Sequence, residues 1–133
     1  MRPPKHRSQI SILIVEDVDE MRSLLEHTLK DIEGLRISGV AKNGFEARLE
    51  TLRRRPDLIL LDEILPGEFS SDLLHSFVND GLPVILITGL VEPPEKIPTG
   101  ALGRLNKPSW DTLEEDRNRF KKFIFEKMNR QKV

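Results

Sequence analysis

Residues 58–62 read Leu-Ile-Leu-Leu-Asp, an apolar run that ends in a carboxylate. Such an uninterrupted run is typical of a parallel strand buried on both faces. Open α/β sheets bind ligands outside the carboxyl ends of their strands, so Asp62 is expected at the binding edge. A second apolar run, residues 12–15, ends in Glu16 and Asp17. Two acidic strand ends in one small domain indicate a site for a divalent cation and a phosphoryl group.

The composition is typical of one soluble globular domain. The chain has 133 residues, of which 32% are charged and 38% hydrophobic. A net charge of −1 does not favour nucleic acid binding, and the absence of cysteine excludes disulfides and thiolate metal sites. No apolar stretch approaches the roughly 20 residues of a membrane helix, and no signal peptide is evident. We expect a cytoplasmic protein without a membrane or nucleic acid partner.

The succession of patterns predicts a disordered leader at residues 1–9 and one domain at 10–130. Apolar runs between turn residues predict five strands, at 10–15, 35–40, 58–62, 84–87 and 101–105. Helical spacing of apolar residues predicts a helix after each strand except the fourth. There, prolines 93, 94 and 98 disfavour a full helix, because proline lacks an N–H donor and crowds the preceding turn. We expect one helical turn at most, over 94–97.

Strands that alternate with helices predict an α/β fold with a doubly wound, five-stranded parallel sheet. Right-handed crossovers favour the strand order 2-1-3-4-5, the flavodoxin-like topology, here with a shortened or missing fourth helix. This order brings the carboxyl ends of strands one and three side by side.

Five residues at predicted strand ends have complementary chemistry. Glu16, Asp17 and Asp62 would repel one another strongly at close range, and a hard cation that prefers oxygen ligands, Mg²⁺, relieves that repulsion. Asp62 can act as a nucleophile that accepts a phosphoryl group. The hydroxyl of Thr88 and the ammonium of Lys107 can then stabilise the charge on the phosphoryl oxygens.

Four stretches of the chain resemble the receiver domain of the response regulators of bacterial two-component signalling. They are ILIVEDVDEMRSLL at 12–25, PDLILLDEILPG at 56–67, LPVILITG at 82–89 and LNKP at 105–108. Their order and spacing are more specific than any one of them, and the resemblance covers about residues 10 to 128. It is to the single-domain, chemotaxis-regulator-like type.

The resemblance implies a role for each acidic residue. Asp62 is the expected phosphoacceptor and, with Asp17, a direct Mg²⁺ ligand, while Glu16 acts through water. The backbone carbonyl of Ile64 is the expected third protein ligand. Ile64 and Leu90 occupy two positions that modulate attack of water on the aspartyl phosphate in this family. Both are apolar here, so we expect a long-lived phosphoryl group.

The resemblance also assigns Thr88 as the switch hydroxyl and Lys107 as the phosphate-binding lysine, with a cis peptide bond between Lys107 and Pro108. Several positions depart from the family pattern, among them positions 63 and 104. Glu63 follows the acceptor where an apolar residue is usual, and we interpret it as a surface acid and not a second ligand. Arg104 stands where many members have an inward-turning aromatic residue, and we expect it to be salt-bridged or to face a partner.

We interpret the protein as a stand-alone receiver domain. A histidine kinase or a histidine phosphotransfer protein would phosphorylate Asp62, and the modified domain would control an interaction with another protein. We expect no enzymatic activity apart from its own phosphoryl transfer and dephosphorylation. Without a full fourth helix, we expect a monomer or a dimer that does not use the family's usual face.

Two alternatives remain open. The first is a degenerate receiver domain that binds partners without phosphorylation. The second is a phosphatase of the haloacid-dehalogenase type, which also uses an aspartate nucleophile after a strand. That class needs a second aspartate two residues later as general acid, and this position is Ile64 here.

Overall fold

A computed structural model describes residues 9–65, 67 and 69–132, and side chains as far as residue 129. The predicted leader lies outside these residues except for its last position. The described chain forms five strands, four α-helices and a 3-10 helix at Trp110–Thr112. The strands and α-helices are β1 Ile10–Val15, α1 Asp19–Leu29, β2 Leu35–Ala41, α2 Gly44–Arg53, β3 Leu58–Asp62, α3 Ser70–Asn79, β4 Val84–Thr88, β5 Gly103–Asn106 and α4 Leu113–Lys132. None of the described helices has the length and apolar character that a membrane span requires.

The five strands form one parallel sheet in the order β2-β1-β3-β4-β5. This confirms the predicted doubly wound, flavodoxin-like α/β fold. The middle strands β1, β3 and β4 are buried along their whole length, as their uninterrupted apolar runs predict. The carboxyl ends of β1 and β3 are therefore neighbours at one edge of the sheet.

The core lies on the two faces of the sheet, because successive side chains of a strand point to opposite faces. One face packs against α1 and α4 and contains the buried residues Ile12, Ile14, Leu25, Leu29, Leu58, Leu60, Ile85, Ile87, Phe120 and Ile124. The other face packs against α2 and α3 and contains Leu13, Val15, Ala47, Ile59, Leu61, Leu73, Leu74, Phe77, Val84 and Leu86. Along each strand, every second side chain therefore packs against the same layer of helices.

Several boundaries differ from the sequence-based expectations. A glycine at position 34 predicts the end of the first helix, but α1 ends earlier, at Leu29. The chain turns through Asp31, whose φ of 65° is incompatible with a helix. Strand β2 ends at 41 and not 40, and β5 begins at 103 and not 101. The predicted cis bond between Lys107 and Pro108 is also wrong. The described peptide bonds are all trans, the intrinsically preferred form even before proline.

The chain between β4 and β5, residues 90–100, is here called the β4–β5 segment. It contains bends and turns but no helix, so even the single helical turn predicted over 94–97 does not form. Its prolines at 93, 94 and 98 explain this, since the residue before a proline is also driven out of the helical region. The fourth helix of the predicted topology is therefore missing.

A substitution of Leu60 tests how much the central strand β3 contributes to the stability of the fold. The Leu60 side chain is fully buried between β1 and β4, so Leu60→Ala should lower the free energy of unfolding by about 2–5 kcal/mol. Leu52→Ala is the matched control, because Leu52 is 83% exposed on α2. Urea unfolding of both variants would measure the difference. Equal losses would contradict the two-layer core.

Candidate functional site

The candidate site residues lie at or just after the carboxyl ends of strands. Backbone hydrogen bonds between neighbouring strands continue past these ends. The backbone N–H of Glu16 donates to Ala41 at 2.9 Å, and that of Glu63, next to Asp62, donates to Ile87 at 3.0 Å. The backbone N–H of Lys107 donates to the carbonyl of Thr88 at 2.8 Å. These bonds hold the residues that carry the acidic and basic side chains in place at one edge of the sheet.

Glu16, Asp17 and Asp62 form an acidic cluster at this edge. One carboxylate oxygen of each lies within 4.8 Å of the others. Glu16 is fully buried and Asp62 is 3% exposed, while Asp17 is half-buried. Glu16 Oε2 accepts a hydrogen bond from the Val18 N–H at 3.1 Å. Ionised carboxylates at this spacing are stabilised by a nearby cation, because water screens buried charges poorly.

Lys107, which follows the edge strand β5, supplies one such cation. Its Nζ lies 2.8 Å from Glu16 Oε1 and 3.2 Å from Asp62 Oδ2. Burial alone would lower the pKa of Lys107, but the two carboxylates more than offset burial and raise that pKa above its usual value. The ammonium therefore stays charged and bridges the residues that follow β1 and end β3.

The carboxyl group of Asp62 has a strongly shifted pKa. The pKa of Asp62 is raised from 3.8 to about 6, mainly by burial. The N–H of Ile64 and the ammonium of Lys107 act to lower the pKa, and the charge of Glu16 acts to raise it. The Ile64 N–H donates to Asp62 Oδ1 at 3.1 Å. At neutral pH the carboxylate is thus ionised but close to its titration range.

The residues present fit a divalent cation. Three ionised carboxylates and one ammonium leave a net charge of −2 in the cluster, which a divalent ion would neutralise. The ligand atoms that these residues offer are all oxygen atoms, which Mg²⁺ prefers. Among the described residues the carboxylate of Asp17 has no hydrogen-bond or ion-pair partner that would compete with a metal. The carbonyl of Ile64 stays a predicted ligand.

Thr88 ends β4, the strand next to β3, but its hydroxyl contacts the chain that follows it. Thr88 Oγ1 accepts a hydrogen bond from the Leu90 N–H at 3.1 Å. The structure thus clusters Glu16, Asp17, Asp62 and Lys107. It places Thr88 at the same edge, and among the described residues the Thr88 hydroxyl makes no hydrogen bond to Asp62. Because the Thr88 hydroxyl accepts in this bond, its own proton is still available to a ligand.

Two residues that support the site were missed in the sequence. Arg22 Nη1 donates to the carbonyls of Glu16 at 3.0 Å and Asp17 at 3.3 Å, which holds the acidic loop from the first turns of α1. Ser70 Oγ donates to the carbonyl of Asp62 at 3.0 Å from the start of α3. The position of Arg22 three residues after Asp19 was a usable signal for a helix-surface pair, and these side chains do form an ion pair.

Glu63 and Arg104 make a two-point ion pair that joins β3 to β5. Arg104 Nε lies 2.6 Å from Glu63 Oε1, and Arg104 Nη2 lies 2.9 Å from Glu63 Oε2. The guanidinium also donates to the carbonyls of Pro94 and Lys96 in the β4–β5 segment. Glu63 is therefore not an isolated surface acid, and Arg104 is salt-bridged.

A family model described as the response regulator receiver domain matches residues 12–115. The chain belongs to this family. The receiver domain is 36% identical over 107 residues to protein-glutamate methylesterase/protein-glutamine glutaminase 1 of Syntrophus aciditrophicus, a match that covers 75% of the chain and 31% of that protein. The chain thus spans about a third of the length of this relative.

Solved receiver domains share the fold. The response regulator domain of Thermotoga maritima CheB superposes with a TM-score of 0.78 at 25% identity, covering 91% of this receiver domain and 97% of that chain. The response regulator TrrA of Thermotoga maritima, solved in complex with Mg(2+)-BeF, superposes with a TM-score of 0.68 at 26% identity, covering 86% and 98%. The resemblance read from the four motifs is thereby confirmed.

The raised pKa of Asp62 predicts a pH-dependent stability. In the unfolded chain the carboxyl ionises near 3.8 and in the folded chain near 6, so the folded state loses stability as pH rises from about 4 to 6. Asp62→Asn removes that loss and should make the protein more stable at pH 7 by on the order of 1–3 kcal/mol, with no gain below pH 4.

Urea unfolding at pH 4 and pH 7 measures this difference. Asp72→Asn is the control, because Asp72 is an exposed carboxylate on α3 and should show no such pH dependence. Added Mg²⁺ should stabilise the wild type more than Asp62→Asn, since only the wild type keeps the acidic cluster. If the free energies of unfolding of Asp62→Asn and the wild type differ by the same amount at pH 4 and pH 7, the shifted pKa of Asp62 is ruled out.

Proposed function

We propose that the protein accepts a phosphoryl group on Asp62 and uses this modification to control an interaction with another protein. The observation that carries the proposal is the cluster of Glu16, Asp17 and Asp62, in which Lys107 bridges the buried carboxylates of Glu16 and Asp62. A carboxylate nucleophile, acidic groups that can hold a divalent cation and a fixed ammonium are the groups that phosphoryl transfer to a carboxylate needs.

In the transfer step an oxygen of Asp62 forms the bond to phosphorus while the bond to the donor's leaving group breaks. The donor of choice is a phosphohistidine, whose imidazole leaves and takes up a proton. A pKa of about 6 keeps Asp62 ionised and nucleophilic at neutral pH. Lys107 lies 3.2 Å from the acceptor and can neutralise a phosphoryl oxygen, and Thr88 can donate its hydroxyl proton to another.

Mg²⁺ bound by Glu16, Asp17 and Asp62 would supply the remaining charge neutralisation. The TrrA structure supports this assignment, because that 26%-identical receiver was solved with Mg(2+)-BeF. The carbonyl of Ile64 is the further ligand that we propose.

The phosphoryl donor in this proposal is a histidine kinase or a histidine phosphotransfer protein, and the recipient of the signal is a protein that the structure does not identify. The methylesterase activity in the name of the relatives is not part of the proposal, because only about a third of their length matches. A stand-alone chain, a cytoplasmic location, and a monomer or a dimer through a different face stay predictions.

The two alternatives predict different outcomes with a small phosphodonor. Incubation with acetyl phosphate and Mg²⁺ should add the mass of one phosphoryl group to the wild type and none to Asp62→Asn. Asp72→Asn is the matched control and should be modified like the wild type. Lys107→Ala should slow the modification by on the order of 10²-fold, the usual effect of removing one donor to a developing charge.

Intact-protein mass spectrometry measures each of these outcomes. A wild type that gains no mass would favour the degenerate receiver domain, whose partner binding does not need phosphorylation. Continuous release of phosphate from an ester without a stable adduct would favour the phosphatase. The second outcome would be hard to explain with the exposed Ile64 in place of a general acid.

Two apolar side chains beside the site predict a slow loss of the phosphoryl group. The N–H of Ile64 bonds to Asp62 and that of Leu90 bonds to Thr88, so both side chains start next to the phosphoacceptor or its hydroxyl partner. Neither can hydrogen-bond to an attacking water. The half-life without a phosphatase should therefore be minutes or longer, and Leu90→Asn should shorten it about tenfold, a barrier change near 1.4 kcal/mol.

The decay of the phosphorylated mass peak with time measures this half-life. Val91→Asn is the control, because Val91 is exposed and adjacent to Leu90 but makes no described contact with the site. A wild-type half-life of only seconds would refute the prediction.

A further inference from the structure

The β4–β5 segment has no helix, yet it is tied to the sheet by side chains of β5. Arg104 donates to the carbonyls of Pro94 and Lys96, and Asn106 Nδ2 donates to the carbonyl of Leu90 at 3.2 Å. Without a helix, those carbonyls have no regular backbone partners within the segment. The guanidinium of Arg104 therefore provides hydrogen bonds that a fourth helix would have supplied from its own backbone.

Arg104 is held in this position by Glu63. In the register of the sheet, Arg104 lies opposite Leu86 of β4, and Asp62 lies opposite Ile87. Alternation along the strands puts Glu63, Leu86 and Arg104 on the same face, so the ion pair crosses over β4. The Arg104 side chain is 7% exposed and that of Glu63 is 20% exposed, which shields the pair from solvent and from salt.

The pair is also next to the phosphoacceptor. Glu63 follows Asp62 in the chain, and consecutive Cα atoms are about 3.8 Å apart. The other end of the β4–β5 segment begins at Leu90, whose N–H bonds to the hydroxyl of Thr88. Both attachments of the segment thus start from residues at or beside the candidate site.

We propose that Glu63 and Arg104 form a latch that holds the β4–β5 segment against the sheet, and that phosphorylation of Asp62 opens it. The opening by phosphorylation rests on the proposed function, whereas the latch itself does not. The latch takes the place of the inward-turning aromatic residue that is common at position 104. Arg104 is a positioning residue, because it acts on the segment and not on the reacting atoms.

The added charge explains the direction of the change. A phosphoryl group brings negative charge and strong acceptor oxygens to the residue beside Glu63. Through the backbone that joins the two residues, this charge disfavours the Glu63 carboxylate in its present position. That effect weakens the ion pair with Arg104, so phosphorylation stabilises the open latch relative to the closed one.

Amide hydrogen exchange of the unphosphorylated protein tests the latch itself. Glu63→Gln and Arg104→Gln should each speed exchange in the β4–β5 segment by at least about tenfold, while exchange in β1 and β3 stays unchanged. Arg53→Gln is the matched control, because it breaks an exposed ion pair with Glu50 on α2 and should leave the segment unaffected. The double variant Glu63→Arg with Arg104→Glu should restore part of the protection.

Exchange in the segment that is as slow in both single variants as in the wild type would overturn the latch. A double variant that exchanges as fast as the single variants would also overturn it, because it would show that the pairing of the charges does not matter. Unchanged exchange in β1 and β3 serves as the internal measure that each variant is folded.

The same measurement after treatment with acetyl phosphate and Mg²⁺ tests the coupling. Phosphorylated wild type should exchange in the β4–β5 segment at least about tenfold faster than the unmodified protein, and Glu63→Gln should change little further on modification. A phosphorylated wild type with unchanged exchange in the segment would overturn the coupling alone. If no phosphoryl group is gained, the proposed function and the coupling both fail, and the latch is judged on the unmodified variants.

Discussion

The ammonium of Lys107 and the carboxylates it bridges are the interaction on which the site depends. Glu16 is fully buried and Asp62 nearly so, and two carboxylates that close together in a protein interior repel each other strongly. The ammonium lies within 3.2 Å of both and offsets part of that repulsion. The cluster still has an excess of negative charge, which favours the binding of a small divalent cation.

The hydrophobic sheet makes this concentration of charge possible. Strands β1, β3 and β4 are buried along their length and pack on both faces against helices, so their carboxyl ends are rigidly spaced. The favourable burial of these strands outweighs the cost of holding like charges together at one edge. Burial is the main cause that raises the pKa of Asp62 to about 6, and this value leaves the carboxylate ionised and reactive at neutral pH.

The β4–β5 segment shows how one family can keep its site and change its surface. Prolines remove the fourth helix, and the backbone groups that such a helix would satisfy need other partners. Arg104 supplies them, and Glu63 fixes Arg104 by a shielded two-point ion pair. The departures from the family pattern at positions 63 and 104 therefore belong together, because the two residues form one ion pair.

The sequence by itself determined the strand order, the two-layer core and the residues of the candidate site, because buried parallel strands read as apolar runs and carry their polar residues at the ends. It also determined that the fourth helix does not form, since proline disfavours a helix through its own backbone and that of the preceding residue. Only the tertiary structure decided what joins residues far apart in the chain: Lys107 to Glu16, Ser70 to Asp62, and Glu63 to Arg104 across β4. Local patterns encode which face a side chain occupies, whereas its partner across the sheet depends on register and on the path of the loops.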